Sequence, residues 1–571
     1  PPRSRPRPLR EHRVDSRVAP STIPPEHDHR TLILCFDGTG DQFDVDNSNI
    51  VQLCSLLRKE DRSKQRVYYQ TGIGTYTSPK VATPIMSRLS KVFTTLFFEK
   101  TVLIFYLPVQ ATDMLIANQL NAHVMDGYEF LMQNYTAGDR ICMFGFSRGA
   151  YTARSLAGML HKVGLLSKDN FQQVPFAYKM YTRVDKTGWE QSNAFKEAFC
   201  IDVTIDFLGV WDTVDSVGLI PKRLPFTTSN TIVRTFRHAI SLDERRAKFK
   251  PNLWNLPHSR TEHSQDLPPS RPTYSGFSYR SSAKSRARQL SRSPKKRLSP
   301  LPPSIEWESS EDNKLSDFEE RFSLHSESDN PTPTDVQEVW FAGCHCDVGG
   351  GSVKNSTRHS LARISLRWMI RECFKANTGI MFNSQRLKSV GLDPSTLYPF
   401  VTPRLQPLSG EHRTIEPLPR KKLKSWGQIW AGIRKITPGR DSGLTSHSTT
   451  PAADSSKDSG ENEKPLILSE EEEDLRDILS PKYDQLKMSP LWWILEVIPM
   501  QFRYQRKCDD WVSYFGFNLA RPRHIPEQSS NGVWVHRSVK VRMEAEKLRS
   551  NGKRRRYSPK AQLEVEPNWV D

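Results

Sequence analysis

The chain has 571 residues, of which 36% are hydrophobic and 40 are proline, and it carries a formal net charge of +18. This hydrophobic content excludes a chain that is packed throughout its length, so part of it is predicted to be disordered. A positive charge suits anionic partners, but many of the cations lie in segments with few apolar residues. We therefore expect no nucleic-acid partner, and a peripheral contact with an anionic membrane stays open.

Residues 1–28 are rich in Pro and Arg and are predicted to form a disordered basic N-terminus. The segment lacks the apolar core of a secretory signal, and the sequence does not begin with Met, which leaves the true start open. Most of the eight cysteines lie in apolar runs without a dense framework, which favours free thiols in a reducing compartment. These features predict an intracellular protein, with the cytoplasm favoured over the nucleus or the membrane periphery.

Short apolar strands alternate with helical segments in residues 29–252 and 336–435, which together are predicted to form one domain. This alternation is typical of an α/β fold with a mostly parallel sheet and helices on both faces. The predicted strands are 31–36, 66–69, 140–144, 203–210 and 338–342, and the predicted helices include 122–134 and 150–163.

Residues 94–119 contain an apolar run over 102–109. Charged side chains at Glu99, Lys100 and Asp113 leave it well short of the ~20 apolar residues that a transmembrane helix needs. We expect a buried strand or helix here. A flap that touches lipid and a translated intron are the alternatives.

Two polar segments, 253–335 and 436–468, are predicted to be disordered insertions. Within the first, residues 270–299 hold nine Lys or Arg and no acidic residue, whereas residues 304–335 hold ten Asp or Glu. Such segregated charge blocks cannot bury a core.

The C-terminal part is predicted to comprise a helical block over 469–545, packed on the α/β domain, and a basic tail over 546–571. Residues 491–498 include two tryptophans and five aliphatic residues, which favour core burial. A cap that grips an acyl chain is the alternative. The basic run 553–556 is expected to be solvated, with a nuclear signal or a patch for anionic lipid as the alternative.

Residues 145–149 read Gly-Phe-Ser-Arg-Gly, between an apolar run and a segment of small residues. This context of strand, tight turn and helix is typical of a nucleophile elbow, in which a strained turn presents a serine at its tip. The two glycines fit positions where a Cβ would clash. Ser147 is therefore predicted to be the nucleophile of a serine hydrolase.

A serine hydroxyl is a poor nucleophile and needs a base that is held by an acid. In α/β-hydrolases the chain order is Ser, then Asp or Glu, then His, each after a strand. Asp212 and His345 follow predicted strands and fit this order. The rival candidates are Asp347, His238 and His536. No second Cys or His pair stands at zinc spacing near the Cys-His-Cys sequence around His345, so we expect no metal site.

The oxyanion hole is predicted to use the backbone N–H of Arg148 and one N–H from the loop after the first strand, from Gly38 or Thr39. Asp37 precedes this loop and is also a candidate for an aspartyl-phosphate nucleophile. The second carboxylate that such nucleophiles usually have is replaced by Thr39.

Five segments occur in a fixed order at 36–40, 145–154, 209–214, 238–246 and 343–351. This set resembles an uncharacterised α/β-hydrolase family typified by the catalytic domain of bacterial type VI secretion phospholipase effectors. The resemblance covers about 31–250 and 336–400, and the insertions indicate a fungal member. It implies a Ser–Asp–His hydrolase with Ser147 as the nucleophile. The phospholipase activity belongs to secreted bacterial members, and the long basic insertion sets this chain apart from them, so the substrate does not transfer.

Together these features predict a hydrolase of carboxylic esters, with phospholipids as one substrate class, that forms an acyl-enzyme and needs no metal or organic cofactor. The alternative is a catalytically weak hydrolase-fold scaffold whose charged segments bind protein or nucleic acid. The sequence predicts no oligomeric state.

Overall fold

The computed structural model of this chain shows a parallel sheet between two layers of helices. It describes residues 20–39, 41–73, 107–214, 223–254, 306–307, 315, 318–319, 333–418, 468–490, 492–505, 511–526, 528–548, 552 and 554–571.

The strands of the described residues are mostly short. In chain order they are β1 (Thr22–Ile23), β2 (Thr31–Phe36), β3 (Gln65–Gln70), β4 (Arg140–Phe146), β5 (Leu165–Leu166), β6 (Cys200–Ile201), β7 (Ile205–Trp211), β8 (Val233–Ser241), β9 (Glu306–Trp307), β10 (Asp335–Phe341), β11 (Phe382–Asn383), β12 (Thr414–Ile415), β13 (Met500–Gln505), β14 (Trp511–Gly516), β15 (Trp534–His536), β16 (Glu546–Leu548), β17 (Arg554–Arg556) and β18 (Asn568–Val570).

The helices connect these strands. They are α1 (Asn49–Leu56), α2 (Leu107–Asn134), α3 (Arg148–Val163), α4 (Val174–Thr182), α5 (Lys186–Phe199), α6 (His345–Gly349), α7 (Leu361–Lys375), α8 (Ser384–Ser389), α9 (Glu470–Leu479), α10 (Gln485–Met488), α11 (Trp492–Glu496), α12 (Gln528–Asn531) and α13 (Arg537–Glu544), with 3₁₀ turns at Phe171–Gln173 and Pro394–Thr396.

The central sheet has eight strands in the order β3–β2–β4–β7–β8–β10–β15–β18, and every neighbouring pair is parallel. Strand β3 lies on one side of β2 and β4 lies on the other, so the strand order changes direction at β2. In open parallel sheets, ligands bind at the carboxyl ends of the strands beside such a switch point. The topology therefore indicates a ligand site at the loops after β2 and β4.

Helices cover both faces of this sheet because alternate side chains of each strand point to opposite sides. Leu32 and Leu34 of β2 lie in one buried cluster with α2 and α3. Ile33 and Cys35 lie in the other, with α1 and α7. Burial on both faces explains why the strands read as continuous apolar runs. The predicted α/β-hydrolase-like fold class is confirmed.

The structure of the C-terminal part differs from two predictions. The sequence predicts only helices over 469–545, but this segment also contains β13, β14 and β15. Residues 546–571, predicted as a tail, contain β18, which pairs in parallel with β15 at the edge of the central sheet. Strand β15 in turn pairs with β10 through Trp340 and Val535. Strands of three residues are too short for an alternating pattern, and distant pairing partners stabilise them.

The cluster at 492–498 also differs from the expected core burial. Trp492 is half-buried, whereas Trp493, Ile494 and Val497 are exposed. The buried residue of this helix is Glu496. The helix thus turns its carboxylate inward and Trp493 and Ile494 outward, whereas Leu495 and Ile498 are partly buried against a small apolar cluster.

Parts of the segment 253–335, predicted to be disordered, are folded. Trp254 packs against Phe236 with ring centroids 4.2 Å apart, and β9 pairs with β14. Glu319 is buried and accepts a hydrogen bond from the Phe226 N–H at 2.6 Å. Of this segment, residues 253–254, 306–307, 315, 318–319 and 333–335 are described; its other residues lie outside the described residues, as do residues 1–19 and nearly all of 436–468.

The apolar run at 102–109 lies outside the described residues up to the start of α2 at Leu107. Across the part of the chain that the structure describes, no helix combines the length and hydrophobicity that a bilayer crossing requires.

Candidate active site

Three predicted site residues lie at the carboxyl ends of strands of the central sheet. Ser147 follows β4, Asp212 follows β7, and His345 begins α6 shortly after β10. Because all strands of this sheet are parallel, these ends share one edge. The edge is the one that the switch point at β2 indicates.

The turn around Ser147 has the strained geometry of a nucleophile elbow. Ser147 adopts φ 59° and ψ −121°, a conformation that residues with a side chain rarely adopt. Its N–H donates to the Trp211 carbonyl at 3.0 Å. A Cβ on Gly149 would lie 2.3 Å from the carbonyl oxygens of Phe36 and Asp37, so only glycine allows α3 to begin this close to β2.

Ser147, His345 and Asp212 form a continuous line of hydrogen bonds. The Nε2 of His345 lies 2.8 Å from the Oγ of Ser147, and its Nδ1 lies 2.5 Å from an Asp212 carboxylate oxygen. All three side chains are buried. The structure thus brings together the predicted nucleophile, base and acid, which are far apart in the sequence.

A buried arginine holds the Asp212 carboxylate from its other side. Arg523 donates to the two carboxylate oxygens at 2.5 and 3.0 Å, and both side chains are inaccessible to solvent. The same guanidinium donates to the Ser241 and Phe249 carbonyls at 3.1 and 2.6 Å. Sequence reasoning missed Arg523, because an arginine in a polar stretch after β14 carries no local sign of burial.

The charges around this line favour a neutral imidazole beside an ionised carboxylate. Burial alone would raise the pKa of Asp212, but the Arg523 cation and the His345 hydrogen bond hold that pKa well below its ordinary range. Burial lowers the pKa of His345 below its ordinary value of 6.5, and the contact with Asp212 only partly offsets this. With Nδ1–H donating to Asp212, Nε2 can accept a proton from Ser147 near neutral pH.

The loop after β2 lies directly against the elbow. Asp37 is buried and accepts hydrogen bonds from the Ser48 hydroxyl, the Tyr69 hydroxyl and the Gly38 N–H at 2.6, 2.8 and 2.8 Å. These donors fix the loop and engage the Gly38 N–H. The Arg148 guanidinium donates to the Thr39 hydroxyl at 2.9 Å. Thr39 and Arg148, two of the predicted oxyanion residues, are therefore neighbours.

The rival candidates have other partners. His238 accepts from the Thr213 N–H at 3.0 Å and contacts Glu338 at 2.8 Å, so both ring nitrogens are engaged inside the sheet. His536 contacts the Ser538 hydroxyl at 2.8 Å and caps α13. Asp347 caps α6 by accepting from the Cys344 N–H at 2.9 Å.

Aromatic side chains enclose the imidazole of His345. Its ring lies 4.7 Å from that of Phe146 and 4.8 Å from that of Phe249, measured between centroids. Phe249 in turn contacts Trp492 of α11 at 5.5 Å. The guanidinium of Arg246 lies over both rings, 3.5 Å from Phe249 and 4.6 Å from Trp492. The C-terminal block therefore borders the site.

The residues of the site offer no evident metal or cofactor cradle. Both nitrogens of His345 are engaged, and the Cys344 thiol lies 3.5 Å from the Asp243 carbonyl oxygen. Among the residues that the structure describes, no group of three or more His, Cys, Asp or Glu side chains could hold a metal ion. The arrangement is suited to proton transfer and nucleophilic attack by a hydroxyl.

Comparison with known proteins gives a family match and a yeast relative. The family described as T6SS, phospholipase effector Tle1-like, catalytic domain matches residues 30–372. The uncharacterized protein YEL023C of Saccharomyces cerevisiae is 30% identical over 600 residues, which cover 93% of this chain and 80% of that protein. This yeast relative fits the expectation of a fungal member.

Two solved structures are also similar, at low identity. An uncharacterized protein from Pseudomonas aeruginosa shares 15% identity over 62% of this chain and 46% of its own, with a TM-score of 0.27. The Tle1 effector bound to the VgrG spike of the type VI secretion system shares 16% identity over 39% of this chain and 47% of its own, with a TM-score of 0.21. The alignments thus span about half the length of these two proteins.

Proposed function

The chain belongs to the family of Tle1-like phospholipase effector catalytic domains, and from this membership we propose that it is a serine hydrolase of lipid carboxylic esters. The family supports a phospholipase-type hydrolase. Cleavage of an ester bond through Ser147, His345 and Asp212 is the finer part of the proposal. The hydrogen-bonded line between these three side chains is the observation that carries it.

The proposed reaction proceeds through an acyl-enzyme. As the Oγ of Ser147 attacks the ester carbon, its proton passes to the Nε2 of His345. Collapse of the tetrahedral intermediate breaks the bond to the leaving alcohol, which takes that proton. Water then repeats the sequence: it gives a proton to Nε2, attacks the acyl carbon and releases the acid as Ser147 regains its proton.

Asp212 has two roles in this scheme. It keeps the imidazole in the tautomer with Nδ1–H, and its charge stabilises the imidazolium that forms transiently. The depressed pKa of Asp212 supports these roles, because the carboxylate stays ionised throughout the neutral range.

The negative oxygen of the tetrahedral intermediate needs donors beside the elbow. We assign this role to the backbone N–H groups of Arg148 and Thr39. The Gly38 N–H is excluded as a free donor in this conformation, because it donates to Asp37 at 2.8 Å. The contact between the Arg148 guanidinium and the Thr39 hydroxyl supports this pairing, since it holds the two segments together.

Labelling with a fluorophosphonate probe tests the proposed nucleophile, because such probes react with activated serines. Wild type should be labelled, and Ser147→Ala should not. Ser155→Ala is the matched control: Ser155 is also a buried serine of this region, but its hydroxyl donates to the Tyr151 carbonyl at 2.8 Å, and labelling should persist. Failure of folded wild type to react would refute the proposal and favour a hydrolase-fold binding protein.

A panel of substrates would then test the lipid part. Phospholipids, triglycerides and short p-nitrophenyl esters should be compared, with Ser147→Ala as the blank. Hydrolysis of the short esters alone would refute lipid esters as the substrate class and leave the serine mechanism intact.

A further inference from the structure

We infer that Glu244 is a positioning residue of the candidate active site. It holds His345 from two sides, in the place from which the imidazole can take the Ser147 proton. This inference deepens the proposed serine hydrolase function and rests on it. Glu244 follows β8 and lies in the segment 238–246, to which the proposed reaction has so far given no role.

The first side is the backbone of the residue that carries the imidazole. His345 is the first residue of α6, a helix of only 5 residues. The first N–H groups of a helix have no partner within it, so the His345 N–H needs an acceptor from another segment. A carboxylate oxygen of Glu244, Oε2, accepts this N–H at 3.2 Å. Since a helix this short has little stability of its own, such contacts decide where His345 lies.

The whole turn that leads into α6 is held in the same manner. Three successive backbone N–H groups each donate to a buried carboxylate: Gly343 to Asp243 at 2.9 Å, Cys344 to Asp347 at 2.9 Å and His345 to Glu244 at 3.2 Å. Of these three carboxylates, Glu244 is the one bonded to the residue that bears the imidazole. It is therefore the one whose replacement should act most directly on the proposed base.

The second side is the aromatic ring that packs on the imidazole. Glu244 accepts from the Nε and Nη2 of Arg246 at 3.0 and 2.9 Å, a bidentate pair that fixes the plane of the guanidinium. This guanidinium lies 3.5 Å from the centroid of the Phe249 ring, and planar guanidinium groups stack well on aromatic faces. The Phe249 ring in turn lies 4.8 Å from that of His345. Through Arg246, Glu244 thus also holds one wall of the imidazole.

Glu244 is suited to this role because it is charged and firmly fixed. Burial alone would raise the pKa of Glu244, but the Arg246 cation and its hydrogen bonds lower that pKa to about 2. The backbone N–H groups of Arg245 and Arg246 also donate to Oε1, at 2.9 and 2.8 Å. Hydrogen bonds to an ionised acceptor are about twice as strong as neutral ones. The carboxylate therefore keeps one place and one charge state at neutral pH.

Asp212 and Glu244 divide the placement of the imidazole between them. Asp212 binds Nδ1 at 2.5 Å and selects the tautomer, whereas Glu244 binds the backbone of the same residue. Without Glu244, the start of α6 can shift, and the Nε2 of His345 loses its alignment with the Oγ of Ser147 at 2.8 Å. A misplacement of about 1 Å in such a line can cost about 100-fold in rate.

The rate constant of fluorophosphonate labelling tests this inference in the full-length chain. In Glu244→Gln, one oxygen stays with the N–H groups of Arg245 and Arg246, but an amide NH₂, which cannot accept the His345 N–H, replaces Oε2. At saturating probe we expect the first-order rate constant to fall at least about tenfold. The fraction of protein finally labelled and the probe concentration for half-maximal rate should not change. Loss of folded protein would lower the final fraction instead, so the two effects can be told apart.

Glu372→Gln is the matched control. Glu372 of α7 is also buried and also paired with a buried arginine, because the Nε of Arg237 lies 2.6 Å from its carboxylate and the two side chains are 3% and 8% exposed. Its replacement should lower the melting temperature and leave the rate constant unchanged. If Glu244→Gln does not fold, Glu244→Asp replaces it in the test: the charge beside Arg246 is kept, but the carboxylate is one methylene further from the His345 N–H, and the same fall is expected.

A wild-type rate constant in a folded Glu244 variant, or an equal fall in Glu372→Gln, would overturn the inference and leave the proposed function intact. Failure of folded wild type to react at all would instead refute the proposed function, and the inference with it.

Discussion

Replacement of Arg523 tests whether this buried cation stabilises the ionised carboxylate of Asp212. The guanidinium donates to both carboxylate oxygens at 2.5 and 3.0 Å, and neither side chain is accessible to solvent. Removing one partner of a fully buried ion pair costs about 3–5 kcal/mol, because the other charge stays in a poorly polar environment. We therefore expect Arg523→Gln and Asp212→Asn each to lower the free energy of unfolding by about this amount.

The double variant shows whether the two side chains stabilise the fold as a pair or independently of each other. When both charges are removed, no buried charge is left without a partner, so Asp212→Asn with Arg523→Gln should be about as stable as either single variant. The coupling free energy should be at least about 2 kcal/mol. Urea denaturation followed by tryptophan fluorescence and circular dichroism gives the four free energies, and agreement between the two signals checks for a single transition.

A surface ion pair supplies the control cycle. Arg183 and Asp185 lie 2.7 Å apart, but their side chains are 39% and 56% exposed. Water screens such a pair, and its coupling should stay below about 1 kcal/mol. If the costs of Arg523→Gln and Asp212→Asn were simply additive, or if Arg523→Gln were neutral, the assignment of Arg523 as the partner of Asp212 would be wrong.

Three further results are expected. The rate of fluorophosphonate labelling should be constant from pH 7 to 8 and should fall to half its value only below pH 6.5. Burial lowers the pKa of His345 below its ordinary value of 6.5, and only the neutral imidazole accepts a proton. A midpoint of the loss above pH 7 would contradict this. Gly149→Ala should destabilise the fold by about 1–3 kcal/mol, because the added Cβ would lie 2.3 Å from two carbonyl oxygens. Gly516→Ala is the control: its added Cβ would lie 3.6 Å from the nearest atom and should have little effect on the melting temperature. Deletion of 255–305 should preserve fluorophosphonate labelling, and loss of labelling would refute this. Glu319→Ala should lower the free energy of unfolding by about 1–3 kcal/mol, because it removes the acceptor of the buried Phe226 N–H. Stability equal to that of wild type would refute this second expectation.

The sequence predicts the core of this fold well because buried parallel strands appear in it as continuous apolar runs. The run at 31–36 is the strand β2, and the runs before Ser147 and Asp212 are β4 and β7. Each is apolar on both faces and ends at a turn residue, so composition alone marks it. The candidate nucleophile could be found for the same reason, since the elbow requires glycine on both sides of the serine.

The rest depends on contacts between residues far apart in the chain. Arg523 reads as a solvated cation, and only the placement of Asp212 makes it a buried partner. Glu496 reads as the polar side of a helix, yet it is turned inward by three donors from other segments. Strand β18 has three residues and pairs with a strand that is itself three residues long. No local pattern contains this information.

The distance along the chain between Asp212 and Arg523 has a consequence for biosynthesis. The two residues are 311 positions apart. At about 5–20 residues per second, a ribosome needs roughly 15 to 60 s to reach the second after making the first. During this interval the residues of β2, β4, β7 and the elbow have been synthesised, but Arg523, the counter-ion of Asp212, has not. The hydrogen-bonded line can reach its final charge balance only when most of the chain has been synthesised, which delays completion of the candidate active site until late in translation.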